Sequence, residues 1–592
     1  MTRMSWKFAF KLAMALTVVS WLSSLVQVDS AAQLNRSQYP QPRFPSVGLK
    51  VVKSVADVMP YARQAAQNRA AAFGGGLGLS SAGETIVIVV SPNNNEPHII
   101  EAIRRALVER KVTPQVLMRT DNGMVPWDYE AALKPKPAGR GGRPLVTGMT
   151  VTEAGFTEGA VPGQVPFPRL TRNWLRTTRP DLFKLLYPNM SMEAEPAPPK
   201  EKPNLGFTGD SNDVLITYLQ KHPEVDGVYS AGTWYQEAGS LGPFRTKWRG
   251  TALFEKWTIL SNVPSYPADV WAMTEQKNIE PIAFVDRFHL TDPEGTDLTA
   301  DISPDLAQRW SRGIYERGHN MLGPNMATGR FARTIVSYPA LSGDWIPRSP
   351  IATPSGVVAA TTNHVGYFPL MKMYYKDGYL TSVEGGGNYG ELARTHLKSY
   401  PNINTAQYPY YDGKPGFFYL HEIALGTNPK WFRPPTPDMS ATTVQERLKA
   451  GYLHIGLGAS MENDPSAPAR SDAWQRFAEK LNLPFYHGLH MHLYFPTYTV
   501  TLRNSSRTVD IIKNGHMTSL DDPEVRALAS RYGDPKSILA EDWVAEVPGI
   551  NAPGRFEDYA RDPYKYHKAV NDKIVAGTYE HFYPPLSRSG RQ

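Results

Sequence analysis

Glu84-Thr-Ile-Val-Ile-Val-Val-Ser91 is an unbroken β-branched run with no polar face. Such a run belongs to a strand covered on both sides, as in a parallel sheet. The flanking sequence completes the unit. Pro92-Asn-Asn-Asn-Glu96 reads as a polar turn, Ile99, Ile100, Ile103, Ala106 and Leu107 recur at helical spacing, and Gln115-Val-Leu-Met118 supplies the second strand of a β-α-β unit. The turn lacks the glycine fingerprint that cradles a pyrophosphate, so the unit predicts a fold and no bound nucleotide. A predicted helix over 213–222 then precedes a strand at Gly227-Val-Tyr-Ser-Ala231, and a helix from Ala268 precedes a strand at Ile282-Ala-Phe-Val285. This alternation predicts an α/β fold class, with an N-terminal α/β domain over residues 81–345.

Around that domain the sequence divides by composition. Residues 33–80, with Pro40-Gln-Pro42 and a glycine-rich run from Gly74, read as an N-terminal wrapping arm. Residues 121–212 are an insertion rich in Pro, Gly and Arg, including Lys134-Pro-Lys-Pro and Glu193-Ala-Glu-Pro-Ala-Pro-Pro, and read as surface loops. Strand-like segments dominate from 346, with a hairpin turn signal at Lys376-Asp-Gly378 between Leu370-Met-Lys-Met-Tyr-Tyr375 and Tyr379-Leu-Thr-Ser-Val383. They predict a second, α+β domain over 346–515, followed by a C-terminal extension over 516–592. Glu384-Gly-Gly-Gly reads as a tight hairpin exit into a helix near Glu391 to Ser399, because no Lys-Ser/Thr follows to make it a phosphate loop.

The chain has 592 residues, enough for several domains with large cores, and no cysteine. Disulfides, thiolate metal sites, iron–sulfur clusters and cysteine nucleophiles are therefore excluded, and any metal is held by nitrogen and oxygen. A formal charge of +7 over this length argues for no nucleic-acid partner. Arg3, Lys7 and Lys11, the apolar stretch Leu12 to Val26 and the small residues near Ser30-Ala-Ala32 read as a signal peptide over 1–32. Interrupted by Ser20, Ser23 and Ser24, that stretch falls short of the ~20 residues of a spanning helix. The expectation is a periplasmic or secreted protein with no membrane association after cleavage.

The chemistry-bearing segment is His487-Gly-Leu-His-Met-His-Leu-Tyr-Phe-Pro-Thr-Tyr-Thr-Val-Thr-Leu502. Read as one strand, its period of two puts His490 and His492 on one face, a ready pair of metal ligands. Tyr419-Leu-His421-Glu422 and Tyr452-Leu-His454-Ile-Gly-Leu-Gly458 supply further candidates. Blander readings stand beside these: a surface ion pair for His421 and Glu422, core packing for His454, and core packing for Tyr494, Phe495 and Tyr498. His364, His487 and His516 have no assigned role. No nucleophile elbow, Walker loop or H-E-x-x-H helix is present.

Thr291-Asp-Pro-Glu-Gly-Thr-Asp-Leu-Thr299, Pro354-Ser-Gly356, Glu384-Gly-Gly386, the segment from His421 to Pro429, and His490-Met-His492 occur in an order that resembles the aminopeptidase T-like metallopeptidases and their relative 2,5-dihydroxypyridine 5,6-dioxygenase. The resemblance covers roughly residues 80 to 515 and implies an α/β N-terminal domain with a metal-bearing C-terminal one. By the dioxygenase pattern His421 and His490 match two iron ligands, and His492 stands where an aspartate would be. By the aminopeptidase pattern Glu422, His454 and His490 match three positions of a two-metal site, whereas Val357, Met461 and His492 replace its expected oxygen donors. The resemblance thus implies one metal on His421, His490 and His492, with Glu422 and His454 as acid–base groups. Three neutral imidazoles suit Fe(II), with Zn(II) the alternative. The expected activity is extradiol-type cleavage of a hydroxylated aromatic small molecule. A metallo-aminopeptidase is the second reading and a non-catalytic periplasmic binding protein the third. A homo-oligomer is also implied.

Overall fold

The computed structural model describes residues 36–46, 51–69, 73–74, 76–90, 96–120, 123–134, 158, 169–196, 209–231, 238–251, 254–261, 266–304, 306–307, 319–324, 352–363, 366–399, 420–433, 435, 446, 448–457 and 489–583. The predicted leader, the turn after Ser91, His364, Met461 and His487 lie outside them. Among the described residues no helix is long and apolar enough to cross a membrane.

Thr85–Val90 is a central strand of a six-stranded sheet. Thr113–Thr120 and Val225–Ser230 flank it in parallel, Trp248–Thr251 continues the parallel run, and Phe73–Gly74 and Gly123–Pro126 close the edges antiparallel. The alternation of the strand explains why it carries no polar face. Ile86, Ile88 and Val90 pack with the helices Val55–Gln67 and Pro97–Glu109, while Val87 and Val89 pack with Leu215 and Leu219 of the helix Gly209–Lys221. Each such side chain, fully buried, contributes about 1.5–3 kcal/mol. The five apolar residues picked out by spacing between Ile99 and Leu107 are all buried in the helix.

Two antiparallel sheets make up the rest. One has eight strands, in the order Tyr379–Gly385, Tyr367–Lys376, Ser355–Thr362, Thr296–Asp301, Val285–Asp292, Thr497–Leu502, Thr508–Lys513 and His516–Met517. The other has four: His319–Pro324, Leu420–Gly426, Leu453–Leu457 and Leu489–Leu493. The chain is therefore α/β in its first sheet and α+β beyond it. The Lys376-Asp-Gly turn joins its strands with both central residues left-handed, Asp377 at φ 51° and Gly378 at φ 87°.

The structure alters several sequence-based expectations. Ile282-Ala-Phe284 lies in a 3-10 segment, Glu280–Phe284, and the strand begins at Val285. Pro281 at the start of that segment cannot donate to a strand ladder. That strand and Thr296–Asp301 then pair with strands from the C-terminal half, so the sheets divide between Thr251 and Val285 and not near 345. The insertion is not only surface loop: its helices Arg169–Thr178 and Pro180–Leu186 bury Leu175, Leu182, Phe183 and Leu186 in the core shared by the antiparallel sheets. The arm and the extension meet, with Phe44–Pro45 parallel to Phe582–Tyr583. The segment from Leu489 to Leu502 is two strands in different sheets, broken at Tyr494 to Pro496. The Phe495 amide leaves the ladder to donate to Asp292 Oδ2 at 3.2 Å, and Pro496 has none to offer.

His516, unassigned from sequence, ties the extension to the sheet. Its Nδ1 lies 3.0 Å from Glu541 Oε2 and its Nε2 2.9 Å from Asp521 Oδ2, while Lys449 donates to the other oxygen of Glu541. Burial opposes the imidazolium, but Glu541 and Asp521 outweigh it and raise the pKa to about 9. For Glu541 burial is likewise outweighed, by Lys449 and His516, which hold it at about 2. The His516 side chain is 34% exposed, so solvent screens part of this gain. Its contribution is fully present below pH 6.5, the ordinary histidine value, and is lost as pH rises through 9. The contribution of Glu541 is lost as pH falls from 4.5 toward 2. Thermal unfolding across pH should show both declines, and His516→Gln should flatten the alkaline one. An unchanged alkaline slope in that variant would refute the assignment.

Candidate functional site

The four-stranded sheet assembles the histidines. Antiparallel pairing places His454 directly opposite His492, and Gly456 opposite His490. Period-two alternation then puts all three imidazoles on one sheet face. His454 is 1%, His490 4% and His492 1% exposed. The His454 ring centroid is 4.7 Å from that of His490 and 5.6 Å from that of His492. The next strand continues the row, with Ala424 paired to His454 and Glu422 to Gly456. His421 falls at the register shift between Leu420 and Glu422, and the side chains of His421 and Glu422 lie outside the described ones.

Among the described strands, His490 lies on the one at the edge of its sheet. Tyr389 meets its backbone there: the hydroxyl donates to the His490 carbonyl at 3.1 Å and accepts from the His490 amide at 3.2 Å. The glycine run that reads as a hairpin exit delivers this tyrosine. Gly385, Gly386 and Gly387 have φ of 64°, 79° and 48°, and a Cβ on Gly385 would stand 2.1 Å from the Leu370 carbonyl oxygen. The run therefore turns the chain straight from Tyr379–Gly385 into the helix Gly387–Ser399. Glu158, from the insertion, accepts from the Asn388 amide at the start of that helix at 2.9 Å.

Behind His492 lies a buried polar group that the sequence did not announce. Glu446 Oε2 is 3.7 Å from His492 Nδ1, beyond hydrogen-bond length but within electrostatic reach. Glu446 accepts from Arg433 at 3.0 Å, Tyr367 at 3.2 Å and Tyr494 at 2.8 Å. Burial disfavours the charge on Arg433, yet Tyr367, Glu446 and Tyr494 outweigh it and raise its pKa. His567 stacks on Tyr367 with centroids 4.1 Å apart, and burial together with Arg433 holds it well below the usual histidine range, hence neutral. Glu446 is two residues from Leu448 in a segment without a hydrophobic period or motif, so only contact in space identifies it.

Tyr494, Phe495 and Tyr498 pack in hydrophobic cores, as the blander reading expects. Asp297 is exposed and meets His289 at 2.8 Å, whereas Thr296 is buried and bridges both backbone groups of Ala359.

Imidazoles sharing one ion at metal–nitrogen distances of about 2.0–2.1 Å have centroids roughly 4.5–5.5 Å apart. The His454–His490 spacing of 4.7 Å falls within that range and the His454–His492 spacing of 5.6 Å lies just beyond it. Their planes are tilted by 46° and 42°, and among the described residues no group of three or more His, Cys, Asp or Glu is disposed to hold a metal ion as it stands. Donor type and burial are those of a nitrogen-bound ion's site, and coordination by all three would require the rings to turn toward a common point.

No protein-family model matches the chain, and no characterised protein matches it in sequence. A solved structure of 2,5-dihydroxypyridine dioxygenase from Pseudomonas putida KT2440 is similar at 9% identity and a TM-score of 0.35, over 79% of this chain and 98% of that one. At that distance no residue role or activity is carried across from it.

Proposed function

We propose that this chain is a metal-dependent enzyme holding one ion, Fe(II) before Zn(II), on His454, His490 and His492, and that it cleaves a hydroxylated aromatic ring with dioxygen. The observation that carries the reading is the gathering of three buried imidazoles, from two neighbouring strands, on one face of one sheet. Buried histidines that only fill a core have no need to meet one another. A ferrous ion there supplies the redox chemistry that couples a phenolate to dioxygen.

The protein's own residues do the rest. The field of Glu446 favours the His492 tautomer with its proton on Nδ1, which leaves Nε2 as the donor. The Tyr389 hydroxyl fixes the backbone from which His490 projects. Burial keeps bulk water from the imidazoles. Glu422, whose backbone pairs with Gly456 in the same cross-strand row as His490, is the proposed base for the phenolic proton. His421, matched to a ligand by resemblance, is kept as a candidate further donor.

The test is metal analysis of protein purified without added metal, followed by oxygen-electrode and amine-release assays. About one iron per chain and oxygen uptake with a catechol-type substrate is the expected result. Zinc with amine release from an aminoacyl substrate would replace the reading with a hydrolytic one. Absence of bound metal and of turnover under any added metal would leave a binding protein.

A further inference from the structure

Glu158, from the insertion, touches the starts of two elements that brace the histidines. Its backbone forms an isolated antiparallel bridge with Tyr367, the first residue of the strand Tyr367–Lys376. Its Oε1 accepts the Asn388 amide at 2.9 Å, in the first turn of the helix Gly387–Ser399. Amides of a first helical turn have no acceptor within the helix, and a negative charge is favoured beside them.

Each of those starts leads to a support of the histidine cluster. Asn388 is followed by Tyr389, fully buried, whose hydroxyl bonds the carbonyl and the amide of His490. The Tyr367 hydroxyl donates to Glu446 Oε1 at 3.2 Å, and Glu446 Oε2 is 3.7 Å from His492 Nδ1. Phe368 packs on Tyr389 with ring centroids 4.8 Å apart, so the two starts are also in direct contact.

The glycine run makes room for the carboxylate. A Cβ on Gly387 would stand 2.3 Å from Glu158 Oε1, so a side chain there would evict the cap. A cap that only ended a helix could come from the residue before it, as Asp562 supplies for Pro563–Val575 and Asp522 for Pro523–Ala529. Here it comes from 230 residues away, and the helix is thereby tied to the insertion. Arg179, also of the insertion, lies 3.7 Å from Glu391 of the same helix.

We infer that Glu158 is a positioning residue for the histidine site: it fixes the helix start that sets the Tyr389 hydroxyl on the His490 backbone. Its value to the protein rests on the proposed metal reading, but its test does not.

Hydrogen–deuterium exchange of the full chain, resolved to the His490 amide, provides that test. In Glu158→Ala this amide should exchange about tenfold faster or more, while the amides of Leu453–Leu457 keep the parent rate. Glu158→Gln retains an acceptor oxygen and should exchange like the parent. Tyr389→Phe should speed the same amide, and adding Glu158→Ala to it should change nothing further. Zn(II) affinity, read by competition with a chromophoric chelator, should fall about tenfold in Glu158→Ala and return in Glu158→Gln. If the parent binds no metal, the metal reading fails while the exchange rates still decide the role of Glu158. Parent-like exchange at His490 in Glu158→Ala overturns the inference. So does equal acceleration in every strand, full additivity with Tyr389→Phe, or a Glu158→Gln protein that behaves as Glu158→Ala does.

Discussion

His490→Ala protein should purify with almost no metal and with activity reduced by about a thousandfold or more, while its far-ultraviolet circular dichroism matches the parent. His490 follows Leu489 in a fully buried strand, so the imidazole shares its strand with Leu489, Met491, His492 and Leu493. Removing it takes one of three donors from the proposed ion and leaves a pair that cannot close a facial set. His454→Ala should behave alike, and this distinguishes the proposed ligand set from the sequence reading, in which His454 is an acid–base candidate and not a ligand. Tyr389→Phe probes the support. It deletes the hydroxyl that both donates to and accepts from the His490 backbone, and should weaken metal affinity by about 10–100-fold. Stoichiometric metal in either histidine variant would end the proposal, whatever the assays showed.

The second large effect concerns Glu446. Glu446→Ala should destabilise the chain by about 3–5 kcal/mol, because it leaves a buried guanidinium uncompensated. Arg433 is 5% exposed, and Glu446 is the carboxylate it meets, at 3.0 Å. Tyr367 and Tyr494 lose the same acceptor. The double variant Glu446→Ala with Arg433→Met should recover more than half of the loss, since no charge then remains unpaired. Urea unfolding followed through tryptophan emission reads this, and Trp543, under the Arg433 cation at 5.7 Å, is a reporter within the cluster. Equal midpoints for parent and Glu446→Ala would show that the network carries no such energy. Recovery of stability in the double variant without recovery of activity would separate the structural part of Glu446 from its part in orienting His492.

The elements read most accurately from sequence are those whose residues state a period. Glu84 to Ser91 reads as a doubly covered strand because covered strands tolerate no polar residue on either face, and Asp377-Gly378 reads as a hairpin because both positions require a left-handed backbone. Pairing between distant segments has no such local mark. The 285–301 hairpin follows an α/β stretch, and its strands are amphipathic like any others, so nothing in their composition says that they join strands beyond residue 350. The insertion misleads for the opposite reason. Its Pro- and Gly-rich flanks dominate its composition, yet Leu175, Leu182 and Phe183 are buried in a core that other segments build.

The site shows the same division. H-x-H at 490 and 492 determines by itself that both imidazoles share a face, since that follows from the pleat of one strand. The sequence also determined that no thiolate takes part in any chemistry here, because there is no cysteine. Only the tertiary structure decided that His454 faces His492, because antiparallel register between strands separated by more than thirty residues is set by the packing of whole sheets. Tyr389 at the edge of His490 and Glu446 behind His492 come from the same source: side chains that act by proximity carry no spacing for a sequence to display.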